Sequence, residues 1–168
     1  MILAIVLFAI ALMLDGLISN YVPFMFHNLS YFTPLLTLMT LFFAYFLLRE
    51  KPKMYFLLAI IFGFLYDLSY TNLLIWNSLL FFVLALLIQQ FFPKLPLQIF
   101  SVLSCLIILI LLYEFFNVLL LIIFQLFPIT FIDYFYKVTH SMLLNLLYGS
   151  SLYCLLYRKI HRSKSTLN

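Results

Sequence analysis

Long apolar runs, broken by short clusters of charge, proline and polar residues, set the pattern of this chain. Reading the breaks at those clusters gives six segments, at about 2–22, 31–48, 54–70, 72–92, 97–117 and 138–157. A helix needs about 20 apolar residues to cross a hydrocarbon layer about 30 Å thick, so each segment is predicted to be a membrane-spanning helix. The third is the least clean, because its apolar run stops at Asp67, and a very tight turn joins it to the fourth. Residues 118–127 are apolar but too short to cross. A helix from 97 to 127 would be about 46 Å long at 1.5 Å per residue. The fifth helix is therefore expected to end near Asn117, with the apolar segment after it lying along the outer surface as a docking patch for another membrane protein. A tilted, overlong helix is the alternative.

Composition agrees with the pattern. Hydrophobic residues make up 67% of the chain and charged residues 8%, against about 45–50% and about 25% in a soluble domain. So few polar groups could not cover a water-soluble core. The 168 residues are read as one integral membrane domain over 1–168, with 158–168 a short basic cytoplasmic tail. Met1 leads straight into apolar residues, so the first segment is read as a retained helix and not a cleaved signal peptide. Cys105 and Cys154 lie within apolar segments without the spacing of a metal or redox pair, and are expected to be free thiols.

The cations orient the bundle. Arg49, Lys51, Lys53, Lys94, Arg158, Lys159, Arg162 and Lys164 fall on one side of a six-span arrangement, and Lys137 alone falls on the other. The positive-inside rule makes the first side cytoplasmic, with both termini inside. The net charge of +4 is thus a signal of topology. Basic residues of the tail can also touch anionic headgroups of the lipid bilayer. Nothing in the chain supports nucleic-acid binding.

Against this apolar background a few polar residues stand out. Gly63 and Asp67 lie four apart, on one helix face. Gly63 would let another backbone approach closely. A carboxylate inside a membrane is costly and marks a site by default; the alternative is that Asp67 ends its helix near the interface and caps the next. Asp15, Asp67 and Glu114 reach similar depths toward the outer leaflet, where they would form a polar cluster or reach for water individually. Asn145 is placed to hydrogen-bond between helices. Gly149-Ser150-Ser151 lacks the second glycine of a serine-nucleophile elbow, and Asp15 and Asp67 lack the motifs of an aspartyl-protease pair. His27 and His140 are too isolated to bind metal. The chain is read as no enzyme, with no cofactor or metal. Trp76, Tyr21, Tyr31, Tyr66, Tyr70, Tyr134 and Tyr136 fall mostly at span ends, where aromatic rings settle among headgroups.

The run Phe62-Gly63-Phe64-Leu65-Tyr66-Asp67-Leu68-Ser69-Tyr70-Thr71-Asn72-Leu73-Leu74 resembles the central motif of the rod shape-determining protein MreD family, in its Gram-positive form. There a Gly-x-x-x-Asp segment precedes a short turn and another apolar helix. Leu112-Tyr113-Glu114-Phe115 and Leu143-Leu144-Asn145 extend the likeness, as do the length, the six-span layout and the basic tail. One departure is Ile75, where members often carry glycine, which puts close helix packing there in question.

The resemblance implies an all-α, polytopic bundle of six transmembrane helices in the bacterial plasma membrane, resembling transporter substrate-capture subunits. It implies a scaffold of the cell-elongation (rod) complex that binds the single-span protein MreC. Through MreC it would be linked to the penicillin-binding transpeptidase, RodA and MreB, and so to lateral-wall peptidoglycan synthesis and cell shape. A homo-oligomer is left open. Gly63, Tyr66, Asp67, Tyr70 and Asn72 are expected to contact a partner or to stabilise the turn that does, with Asp15, Glu114 and Asn145 as further structural or interface residues. The other reading is a small-ligand-binding subunit of an energy-coupling factor type vitamin transporter, with the three carboxylates at its outer mouth. Against it, the outer loops lack a concentration of ligand-binding side chains, and no Ala-x-x-x-Ala docking face is evident.

Overall fold

The computed structural model describes residues 1–25, 33–70, 75–92, 98–124 and 131–165. These residues form six helices and no strand: α1 (Ile2–Met25), α2 (Leu36–Leu47), α3 (Pro52–Tyr70), α4 (Trp76–Phe91), α5 (Ile99–Ile123) and α6 (Phe131–Ser165). The all-α bundle expected from the apolar pattern is what the chain adopts. Three helices contain stretches long and apolar enough to cross a bilayer, Ile2–Tyr21, Pro52–Tyr70 and Ile99–Leu120. At 1.5 Å per residue, α2 is only about 18 Å long and α4 about 24 Å.

Local sequence explains where the helices depart from their expected bounds. The second was expected from about residue 31, but it begins after Pro34, because a proline disfavours helical geometry in the residue before it. Residues 33–35 are non-helical. The fifth does not end near Asn117. It continues to Ile123 with a turn at Phe124, which corrects the expectation that an apolar segment leaves the helix at 118. Hydrocarbon thickness does not terminate a helix. Val118 to Ile123 contains no proline or glycine, and a backbone in apolar surroundings keeps its internal hydrogen bonds until a breaker intervenes. Residues 125–127 of that segment lie outside those described. The last helix, expected over 138–157, likewise extends at both ends.

Helix α2 lies at the centre, packed against α1, α3, α4 and α6. Every residue from Leu36 to Phe46 is buried. A helix apolar all round belongs inside a bundle, and its short length follows, since it is enclosed by protein over its whole run. Aromatic contacts fill the space beside it. Phe8 of α1 stacks on Phe62 of α3 at 4.6 Å. Phe92, after α4, meets Phe42 and Phe46 of α2 edge-on at 4.2 and 5.0 Å.

Candidate functional site

Helices α2 and α4 share a problem at their N-terminal ends. The first amides of any helix lack internal partners and need a cap. The residues in the cap position are Leu35 and Ile75, and neither side chain supplies a hydrogen bond. Polar residues of other helices supply them instead.

Asp15 of α1 caps α2. Its Oδ1 accepts from the Leu36 amide at 2.8 Å, and its Oδ2 accepts from the Thr37 amide at 2.9 Å and the Thr37 hydroxyl at 2.6 Å. Asn145 of α6 takes the preceding residue, accepting from the Leu35 amide at 2.8 Å and donating to the Thr33 carbonyl at 3.3 Å. The Thr33 hydroxyl donates to Glu114 of α5 at 2.7 Å. The Tyr66 hydroxyl of α3 makes a long contact to the Pro34 carbonyl at 3.4 Å. Four helices therefore converge on the non-helical entry to α2. Non-helical backbone at membrane depth is tolerated only where protein satisfies it, and here side chains do so.

Asp67 of α3 caps α4 in the same way. It accepts from the Ser78 amide at 3.2 Å and from the Asn77 side-chain amide at 2.8 Å. Asn77 in turn accepts from the Tyr113 hydroxyl of α5 at 2.7 Å. Gly63, one turn before Asp67, faces the same place. A Cβ there would lie 2.6 Å from the Ser78 Cα and 2.7 Å from the Asn77 carbonyl oxygen. The backbone that approaches Gly63 is thus this chain's own α4. One helix face holds α4 by close approach at Gly63 and by an anionic cap at Asp67.

The two joints are coupled through adjacent residues. Tyr66 and Asp67 are consecutive on α3 and serve different joints, as do Glu114 and Tyr113 on α5. A carboxylate at a helix N-terminus meets free amides and the positive end of the helix dipole. Charge-assisted bonds of this kind contribute about 1.5–3 kcal/mol each, enough to offset the roughly 2.5–3.5 kcal/mol cost of placing a carboxylate in hydrocarbon.

Asp15, Asp67, Glu114 and Asn145 are all essentially inaccessible, at 0–1% exposure. They do not form one open cluster at an outer mouth. Asp15, Glu114 and Asn145 meet on residues 33–37, and Asp67 stands at the second joint. Tyr70 is different. It is partly exposed, and its hydroxyl donates to the Leu12 carbonyl of α1 beside Gly16, where a Cβ would meet the ring. Asn72 lies outside the described residues.

Several joint residues were not singled out from the sequence as site residues: Thr33, Thr37, Asn77, Ser78, Tyr113 and Asn117. Trp76 was read only as a headgroup anchor, yet its indole donates to Asn117 at 2.9 Å, tying α4 to α5. A signal was available. Trp76-Asn77-Ser78 puts two small polar residues where a helix starts, and threonines stand near Pro34 at the start of α2. Ile75 shows what glycine would do at its position. Its φ is 77°, a left-handed conformation that glycine adopts freely and a β-branched residue resists.

A sequence model of the rod shape-determining protein MreD family matches residues 1–161, almost the whole chain. No significant match was found to a curated protein or to a solved structure. The Gly63–Asp67 segment, Glu114 and Asn145 all lie within the matched region. The chain belongs to the rod shape-determining protein MreD family, and so to the membrane proteins that determine rod shape.

Proposed function

We propose that this chain is a non-catalytic scaffold of the rod complex that binds MreC and so helps to position lateral-wall peptidoglycan synthesis. The observation that carries the reading is the family match over residues 1–161. The geometry supports it in one respect. Asp15, Asp67 and Glu114 accept hydrogen bonds from this chain's own amides and side chains, which is the work of a fixed framework. Links to the penicillin-binding transpeptidase, RodA and MreB would run through MreC. All six helices cross the plasma membrane in this reading, the short α2 and α4 within the shelter of the others, with both termini in the cytoplasm.

The partner-facing surface would be the outer end of the α3–α4 hairpin, around Tyr70 and Asn72, held in shape by the Asp67 joint. Asp67→Asn keeps the volume but turns an NH2 toward a donor. It should weaken co-purification of MreC while membrane insertion is unchanged. Equal recovery of MreC with wild type and variant would remove Asp67 from partner binding.

A further inference from the structure

Tyr66 stands where the two joints meet, and its hydroxyl has more acceptors in reach than protons to give. A phenol carries one O–H donor and accepts on the same oxygen. The Tyr66 hydroxyl faces the Pro34 carbonyl across 3.4 Å, beyond the roughly 2.5–3.0 Å of a well-made O–H···O bond. Its other neighbour is the Tyr113 hydroxyl. Tyr113 gives its own proton to Asn77 at 2.7 Å. The lone pairs of the Tyr113 oxygen are then left to the donors beside it, Tyr66 and Asn117.

The two rings are held in place by packing. Tyr66 meets Phe81 at 5.9 Å, and Phe81 meets Tyr113 at 6.2 Å. Both tyrosines are buried, so their hydroxyl protons can turn while the rings stay.

We propose that Tyr66 is a switch between the joints, donating to Tyr113 while Asn77 holds the Tyr113 proton and to Pro34 once Asn77 withdraws. With Asn77 out of reach, the Tyr113 hydroxyl turns its proton onto the Tyr66 oxygen. The Tyr66 proton then has the Pro34 carbonyl as its acceptor, and the long contact closes. Only hydrogen bonds change, and each hydroxyl keeps its proton. Loosening the start of α4 therefore firms the entry to α2. Two joints that merely packed together would loosen together. The device lies within this chain and does not depend on which partner it binds.

Amide hydrogen exchange, read by nuclear magnetic resonance on the full chain in nanodiscs, tests the switch. The amides to follow are Leu35, Leu36 and Thr37, which Asn145 and Asp15 hold. Tyr113→Phe keeps the ring and leaves Asn77 on Asp67, but removes the acceptor that competes for the Tyr66 proton. It should slow exchange at these three amides about threefold, the effect of one added neutral hydrogen bond, while Ser78 exchanges faster. Tyr66→Phe/Tyr113→Phe should lose that slowing. Asn77→Ala, which withdraws the acceptor and leaves both phenols, should slow the same three amides. Unchanged or faster exchange there in Tyr113→Phe would overturn the switch, as would equal slowing in the double variant. Slowing by Tyr113→Phe without slowing by Asn77→Ala would show competition at Tyr66 with no relay from α4, and would also overturn it.

Discussion

At the scale of single residues, the molecule depends on side chains that finish other helices' hydrogen bonding. Removing Asp67 would leave the Ser78 amide and the Asn77 side chain without their acceptor in an apolar interior. Asp67→Ala should therefore lower stability by about 2–4 kcal/mol, since each buried group left unpaired costs about 1–3 kcal/mol. Gly63→Ala should be destabilising by about 1–3 kcal/mol, because the new methyl meets backbone, which cannot rotate away. Ile75→Gly should act in the opposite sense. It relieves a left-handed β-branched residue that is 61% exposed, and should raise stability by about 1 kcal/mol. Thermal unfolding in a mild detergent measures all three. The sequence made Gly63 and Asp67 conspicuous because a charge and a missing side chain are rare in an oily helix. It could not say which backbone they face, since that depends on how α3 and α4 pack. Ile75 was conspicuous only against the pattern that the resemblance supplied, and its backbone angle is one that glycine adopts freely.

At the scale of elements, α1 with α2 and α3 with α4 repeat one device. An aspartate of one helix caps the start of the next. Asp15→Ala should loosen the entry to α2 by about 2–4 kcal/mol, for the same unpaired-amide reason. Thr37→Val, which removes only one hydroxyl donor, should cost about 1 kcal/mol. The order of the six helices was legible in the apolar runs, and so was their all-helical class. Their ends were not legible where membrane thickness was taken as the ruler. Pro34 shortened α2, and the lack of any breaker lengthened α5 and α6. Cysteine scanning of residues 115–123 tests the extension of α5. Labelling by a lipid-dissolved reagent should be strong at Phe115, Leu119 and Ile122 and weak at Leu120, as their exposure requires. Labelling without helical period would mean that the chain leaves the helix after Asn117.

At the scale of the whole molecule, a buried apolar helix is ringed by longer ones and locked at its N-terminal end by a polar joint. A bundle tied in this way holds the starts of α2 and α4 in fixed geometry, which suits the scaffold proposed above. The orientation proposed above rests on charge, with eight of nine cations on one side of the six-span arrangement. The function could be approached from sequence only through the Gly63–Asp67 motif and its family, because composition and spacing alone describe any small polytopic membrane protein. The most direct measurement of the central claim is affinity purification of the tagged chain from native membranes in mild detergent, with the bound proteins identified by mass spectrometry. The scaffold account predicts recovery of MreC together with wall synthases. Recovery of a transporter energising module in their place would contradict it and make the chain a ligand-capture subunit.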